Sequence, residues 1–429
     1  MRVAIYTLGC KVNQYETQAM GQELMRRGHC IVGFDDEADA YVVNTCSVTA
    51  VSDKKSRQML RRAKNAHPGA VIAACGCYSQ THAAEAERLG LDIVAGSAER
   101  KRFLDDLEAA VRERRRISHI DDALKRREFE ILPAGSMDGR TRAILKIEDG
   151  CTNFCSYCII PFSRGPVRSL PMEEGLRQLR SLAAEGYRET VITGIEIAGY
   201  GRDLEGNIGL ADFLEAAAQA VPRMRLRLGS LEPRLITEEF CRRLAPYENL
   251  CPHFHLSLQS GSDATLRRMN RKYGTAQYEE AVERLRRYFP SVAITTDLIT
   301  GFPGETEEEF AETLRFIRRI GFADMHIFPY SVRPGTVAAR LPQQVEKAVK
   351  EERAHRAATV AEEMHRAFLE GMIGSTAPVL FEQPKEDGRF YGHTPNYTEI
   401  SVAGTGLHNE VRNVRLLRIH GESMEGELI

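Results

Sequence analysis

Three cysteines stand four and three residues apart in Gly150-Cys-Thr-Asn-Phe-Cys-Ser-Tyr-Cys158. At this spacing Cys151, Cys155 and Cys158 fall on one loop, and three thiolates can hold three irons of a [4Fe–4S] cube. The fourth iron then has no protein ligand, which is what chemistry on a small molecule requires. A structural zinc site takes four ligands, often as two CxxC pairs, and no second pair exists in this chain.

Cys10, Cys46 and Cys77 are far apart in sequence, yet each follows an apolar, strand-like run. Strands of a parallel sheet all end on one edge. Three loops on that edge can bring these thiols together around a second cluster with an open iron. Taken alone, the same residues serve equally well as small hydrophobes at buried strand ends.

The elements that must position both sets can be read from periodicity. Val3–Leu8, Ala40–Val43, Val71–Ala74 and Asp92–Ala95 are predicted strands. Helical patterns follow them over about 15–27, 53–66, from His82, and up to Arg112–Arg116. This alternation predicts a parallel sheet with helices on its faces, over residues 1–120. Residues 115–140 are charged and end in Pro133, Gly135 and Gly139, the pattern of a linker.

A second alternation follows, with strands at Ala143–Ile147, Thr190–Ile195, Leu226–Gly229, Phe254–Leu258, Val292–Ile299 and Met325–Phe328. Thr306 and Glu309 form a capping box for a helix over Glu307–Ile320. Six βα units in this length predict an open (βα)6 partial barrel, residues 137–370. A helical pattern runs over Gln343–Met372. Beyond it, at 371–429, short strands at Ala377–Phe381, Phe390–Gly392, Tyr397–Val402 and Val411–Ile419 predict a small all-β module. The fold class is therefore α/β with a small all-β barrel at the C-terminus.

Composition bounds the partners. The 43% hydrophobic and 28% charged residues are ordinary for a soluble chain. At net charge −2 there is no global basic field, so any nucleic-acid surface is local. The N-terminus lacks the apolar core of a signal peptide and no apolar run is long enough for a membrane span, so a cytoplasmic location and no membrane partner are expected. Ten cysteines in a reducing compartment are more readily ligands than disulfides. Cys30, Cys241 and Cys251 have no partner motif and are expected as buried hydrophobes.

CxxxCxxC after the first barrel strand, with Tyr157 before its last cysteine, resembles the signature of the radical S-adenosylmethionine (SAM) superfamily. Leu8-Gly-Cys-Lys-Val-Asn-Gln-Tyr-Glu16, Asn44-Thr-Cys46 and Gly76-Cys-Tyr-Ser-Gln80 resemble the three cysteine motifs of its methylthiotransferase family. Thr193–Asp203, His255–Asp263 with Met269–Tyr273, and Asp297–Thr306 add strand-end loops rich in glycine and polar groups, where a barrel builds its active site. The resemblance implies two [4Fe–4S] clusters, on Cys151/Cys155/Cys158 and on Cys10/Cys46/Cys77, with Cys75 left to the core because only Cys77 has the Gly-Cys-x-x-Gln context. SAM serves as both radical source and methyl donor, and Glu196, Gln259, Ser260 and Asp297 are candidates for SAM or substrate contacts. An electron donor, a reductase or flavodoxin-like protein, is implied as a partner.

The first motif, Gly9-Cys-Lys-Val-Asn-Gln-Tyr-Glu-Thr17, is similar to the branch that acts on N6-threonylcarbamoyladenosine beside the tRNA anticodon. Other branches act on N6-isopentenyladenosine in tRNA or on a ribosomal protein. For the RNA, Lys54, Arg57, Arg61 and Lys64 follow helical spacing as a basic stripe after Cys46, a pattern that a solvated helix face shows equally well. The C-terminal module resembles the TRAM domain, with Arg389, Tyr391, Tyr397, Arg412, Arg415 and Arg418 as candidates for an anticodon stem-loop.

Overall fold

The computed structural model describes residues 1–133, 141–206 and 208–429. Its first sheet contains β1 (Arg2–Thr7), β2 (Cys30–Val32), β3 (Ala40–Thr45), β4 (Val71–Gly76), β5 (Ile93–Ala95) and β6 (Ile117–His119), in the order β2-β1-β3-β4-β5-β6. Every pairing is parallel. The helices between them are α1 (Lys11–Arg26), α2 (Ala50–Ala66), α3 (Cys77–Thr81), α4 (Ala83–Arg88) and α5 (Arg100–Glu113). Side chains alternate across the strands, so both faces are buried. Val3, Val42, Ala73, Cys75 and Ile93 pack under Met20 and Leu24 of α1 and Phe103 and Leu107 of α5. Ala4, Tyr41, Val43, Ile72 and Ala74 pack on the other face against Leu60 and Ala63 of α2 and Tyr78 of α3.

Several expectations need adjustment. The pattern at His82 is two short helices, α3 and α4, that meet at that residue. The predicted linker is partly structured: β6 joins the sheet edge, and Arg126 is bonded to Asp121, Gln80 and Ser97. Its residues Gly135 and Gly139 lie outside the described residues. Cys30 is exposed rather than buried, because it sits on the edge strand β2. Cys241 and Cys251 are buried as expected.

All six predicted barrel strands form. They are β7 (Arg142–Lys146), β10 (Glu189–Thr193), β11 (Arg225–Leu228), β13 (His253–Leu256), β14 (Ala293–Thr300) and β15 (Asp324–Pro329), with a two-residue ribbon of β8 (Glu148–Asp149) and β9 (Arg168–Ser169) beside the first. β10 lies between β7 and β11, and a parallel sheet continues as β12 (Ser230–Leu231), β13, β14 and β15. Gly229 alone separates β11 from β12, so one strand leaves the first sheet and enters the second. The result is an open barrel, with helices such as Glu307–Ile320 outside it. The Thr306–Glu309 capping box forms as predicted.

The C-terminal strands β16 (Thr376–Pro384), β17 (Phe390–His393), β18 (Glu399–Val402), β19 (Val411–His420) and β20 (Ser423–Leu428) close into a barrel, β16-β17-β18-β20-β19. The last strand escaped the sequence reading because Met424 and the terminal leucine give it little apolar alternation. This barrel covers one end of the larger one. Arg225 donates to the His393 carbonyl at 3.1 Å, and Arg227 to that of Pro395 at 2.9 Å.

Candidate functional site

Cys10, Cys46 and Cys77 follow β1, β3 and β4, three neighbours in the sheet. Two glycines make their approach possible. Gly9 has φ +104°, and a Cβ there would lie 2.9 Å from the Cys46 sulfur. Gly76 has φ +102°, and its Cβ would lie 2.5 Å from the Thr45 carbonyl oxygen. These are conformations that side chains rarely adopt. Gly76 also settles the neighbouring pair of cysteines. Plain strand alternation would put Cys75 and Cys77 on one face, but the backbone turns at Gly76. Cys75 stays in the core and Cys77 opens α3 at the sheet edge.

The second triad rides on the loop between β8 and the short helix α6 (Ile160–Arg164). Gly150 precedes it at φ +92°, with no room for a Cβ, which would meet the Pro166 carbonyl at 2.0 Å. The two triads adjoin. Burial, then Cys155 and other neighbours that include Cys77, push the Cys158 thiol up to about 12. Burial and the nearby Cys77 push Cys46 up to about 11. Such thiols keep their protons until a metal displaces them.

Between the triads lies a buried ion network. Glu16 of α1 accepts from Arg100 at 2.7 Å, from Lys146 at 3.3 Å and, closer still, from Arg164. Asp149 is met by Lys146, Arg164 and Arg168 at 3.2, 3.4 and 3.5 Å. Burial alone would raise Glu16, but Arg100, Arg164 and Lys146 outweigh it and hold the carboxyl down at about 2. Four cations therefore face two carboxylates, leaving surplus positive charge beside the sulfurs. Arg164 Nε donates to Cys77 Sγ at 3.3 Å, and its Nη2 to Asn13 Oδ1 at 2.6 Å. Across the site, Arg271 donates to Cys155 Sγ at 3.2 Å. Glu16 and Arg271 stood inside motifs quoted for the resemblance, but nothing local marked their role. Arg164 carried no signal, because its partners are distant in sequence.

The candidate contact residues separate. Glu196, half-buried, lies 3.5 Å from Asn153 of the cysteine loop, and its Oε1 has no hydrogen-bond partner among the described residues. Burial, then Glu232, push this carboxyl up to about 7. Asp297 faces the barrel lumen and meets His255 at 3.3 Å. Gln259 sits beside it at φ +69°, its amide bonded to the Asp297 carbonyl. Ser260 is turned away: its hydroxyl accepts from the Ser262 amide and faces Thr313 of the outer helix.

The lumen is a cavity of about 750 Å³ where all three parts of the chain meet. Lys11 and Gln14 of α1 line it, with Arg142, Arg227, His253, His255, Asp297 and His326 of the barrel and Lys385, Tyr391 and Tyr397 of the C-terminal module. Burial, then Arg227, push His253 well below the ordinary imidazole range, so it stays neutral.

The basic stripe is only half a stripe. Lys64 caps the end of α4 by donating to the Leu89 and Gly90 carbonyls, and Arg57 lies over Tyr78 and 3.6 Å from Glu85. Lys54 and Arg61 remain exposed. On the C-terminal barrel, Arg389 and Arg418 are held by Glu425, while Arg412 and Arg415 are exposed. Tyr397 stacks on His393 with Arg227 4.5 Å over its ring, facing the lumen.

A three-cysteine loop at the mouth of an open βα barrel defines a radical SAM enzyme, and residues 145–317 match the Radical SAM superfamily. Residues 2–96 match the uncharacterized protein family UPF0004. The chain is 39% identical to the threonylcarbamoyladenosine tRNA methylthiotransferase MtaB of Bacillus subtilis, over 100% of this chain and 96% of that protein. It is 33% identical to a tRNA-2-methylthio-N(6)-dimethylallyladenosine synthase of Syntrophotalea carbinolica, over 99% and 98%. The chain belongs to the radical SAM methylthiotransferase family. Its fold is shared with the radical SAM methyltransferase TsrM of Kitasatospora setae, at TM-score 0.57 and 15% identity over 79% of this chain and 73% of that one. Among the described residues no helix is long and apolar enough to cross a membrane.

Proposed function

We propose that this enzyme methylthiolates carbon 2 of N6-threonylcarbamoyladenosine beside the anticodon of tRNA. In this reading Cys151, Cys155 and Cys158 hold the [4Fe–4S] cluster that binds SAM, and Cys10, Cys46 and Cys77 hold a second. The observation that carries it is the meeting of two thiol triads at one seam, next to a lumen large enough for a splayed-out base. The donor sets fit. Each offers three thiols, and the buried surplus of cations compensates the negative charge that thiolates bring.

When bound, SAM supplies the carbon radical and, from a second molecule, the methyl group. The chain's own residues do the rest. Arg164 and Arg271 donate N–H groups to Cys77 and Cys155, orienting both sulfurs. Glu196, with its unpaired oxygen beside the cysteine loop, offers an acceptor for a cationic ligand. The lumen is lined by charged and imidazole groups, a setting that favours a polar modified base over an isopentenyl one. Lys54 and Arg61 of α2, and Arg412 and Arg415 on a TRAM-type module, are exposed and supply phosphate contacts to the stem-loop, whereas Arg57, Lys64 and Arg389 are held by partners within the chain. A reductase or flavodoxin-like protein supplies electrons.

The test is anaerobic reconstitution with iron and sulfide counts. Wild type is expected to hold about eight irons, and the Cys10/Cys46/Cys77→Ala variant about four, with SAM cleavage retained. Equal iron in both proteins rejects the second cluster. Methylthiolation of an anticodon stem-loop carrying the modified adenosine then tests the substrate.

A further inference from the structure

Four lysines and arginines line the lumen: Lys11, Arg142, Arg227 and Lys385. Three have carboxylate partners. Arg142 meets Glu382 at 2.5 Å, Arg227 meets Glu189 at 2.7 Å and Lys385 meets Glu399 at 2.9 Å. Among the described residues Lys11 has no such partner, although it is exposed into the same cavity. Gln14 stands three residues on, so the two side chains share one face of α1. Lys11 directly follows Cys10 in the chain, and its side chain lines the lumen near His253.

The cavity wall is mixed in charge, with Asp297 and Asp324 beside these cations, and Lys11 is the lining cation left to meet an anion. On the reading that the substrate is N6-threonylcarbamoyladenosine, its modified base carries one full negative charge, the threonyl carboxylate. We propose that Lys11 pairs with that carboxylate and Gln14 hydrogen-bonds the carbamoyl group, which makes the first turn of α1 the substrate-selecting element. An N6-isopentenyl group offers neither partner, so it forgoes both contacts. This inference rests on the proposed substrate and adds to it the residues that choose it.

The experiment compares two anticodon stem-loops under anaerobic turnover with SAM. One carries the threonylcarbamoyl carboxylate and the other its neutral carboxamide, which keeps the shape and loses the charge. Wild type is expected to favour the carboxylate by about tenfold to a hundredfold in kcat/KM, mostly through KM, as a charge-assisted bond implies. Lys11→Met should bring that ratio close to one, and Lys11→Arg should keep most of it. Iron content verifies that each variant is intact, and the wild-type ratio stands as a test even if Lys11→Met fails to hold its iron. A wild type that treats both substrates alike overturns the proposal. So does a Lys11→Met that lowers both equally, the outcome for a grip on RNA phosphate or for a packing role. A wild type that cleaves SAM but methylthiolates neither stem-loop rejects the substrate assignment itself, a separate result.

Discussion

The two cysteine triads reach a similar arrangement by opposite routes. Cys151, Cys155 and Cys158 come from one short loop, so their proximity is a property of local chain length. Cys10, Cys46 and Cys77 come from three strand ends, so their proximity is a property of the sheet's order and register. The first depends on one turn, the second on an entire domain. What both share is a glycine at positive φ just ahead of a cysteine, at Gly150 and at Gly9 and Gly76.

The largest expected effect breaks one triad at a time through those glycines. Gly76→Ala sets a Cβ against the Thr45 carbonyl in a backbone conformation that suits only glycine. Reconstituted iron is expected to fall from about eight to about four, with SAM cleavage kept. Gly150→Ala should also leave about four irons but abolish SAM cleavage. Equal behaviour of the two variants would erase the distinction between the triads.

The neighbouring arginines sharpen the comparison. Arg164 is wholly buried and serves two carboxylates as well as Cys77. Arg164→Met leaves that network short of a partner and is expected to cost about 3–5 kcal/mol in chemical denaturation of the metal-free protein. Arg271 serves a thiol, the Tyr273 hydroxyl and a carbonyl but, among the described residues, no carboxylate. Arg271→Met should cost about 1–2 kcal/mol.

A pH effect belongs to the loop triad. Glu196 is raised from 4.5 to about 7, by burial first and Glu232 second. Between those values the folded chain keeps a proton that the unfolded chain has released, so stability falls as pH rises across the window. For this half-buried group the change is about 1–2 kcal/mol. Glu196→Gln should flatten that part of the metal-free stability profile, and an unaltered slope would assign it to the deeply buried Glu148, whose carboxyl is also raised.

The smallest effects are on the surface beside the sheet triad. Lys54→Ala and Arg61→Ala should change stability by less than about 0.5 kcal/mol. Each should weaken stem-loop binding severalfold and reduce the salt dependence of log K by about one unit if it contacts a phosphate.

The same contrast explains what was legible in the sequence. The βα alternation gave the strands, because buried parallel strands are continuous apolar runs. The cysteine loop was visible as spacing, whereas the other triad needed the strand order and the family motifs. Cys30 was misplaced because composition does not mark an edge strand. Lys64 and Tyr397 had suitable types for RNA, but Lys64 is spent on a helix end and Tyr397 on the lumen. The Glu16–Arg164–Asp149 network was invisible, since it joins residues over a hundred positions apart that meet only when two domains dock.

The first two turns of α1 have one further consequence. Cys10 starts it, Lys11 and Gln14 face the lumen, Asn13 and Glu16 face Arg164, and Val12 and Tyr15 enter the core, where Tyr15 bonds the Leu132 carbonyl. Three neighbourhoods are addressed by three faces of the first two helical turns. Exchanging residues on one face can therefore rewrite a preference while the other two keep their meaning. Inserting or deleting a single residue rotates everything beyond it by about 100° and scrambles all three at once. Within these two turns the text tolerates spelling changes but no change of reading frame.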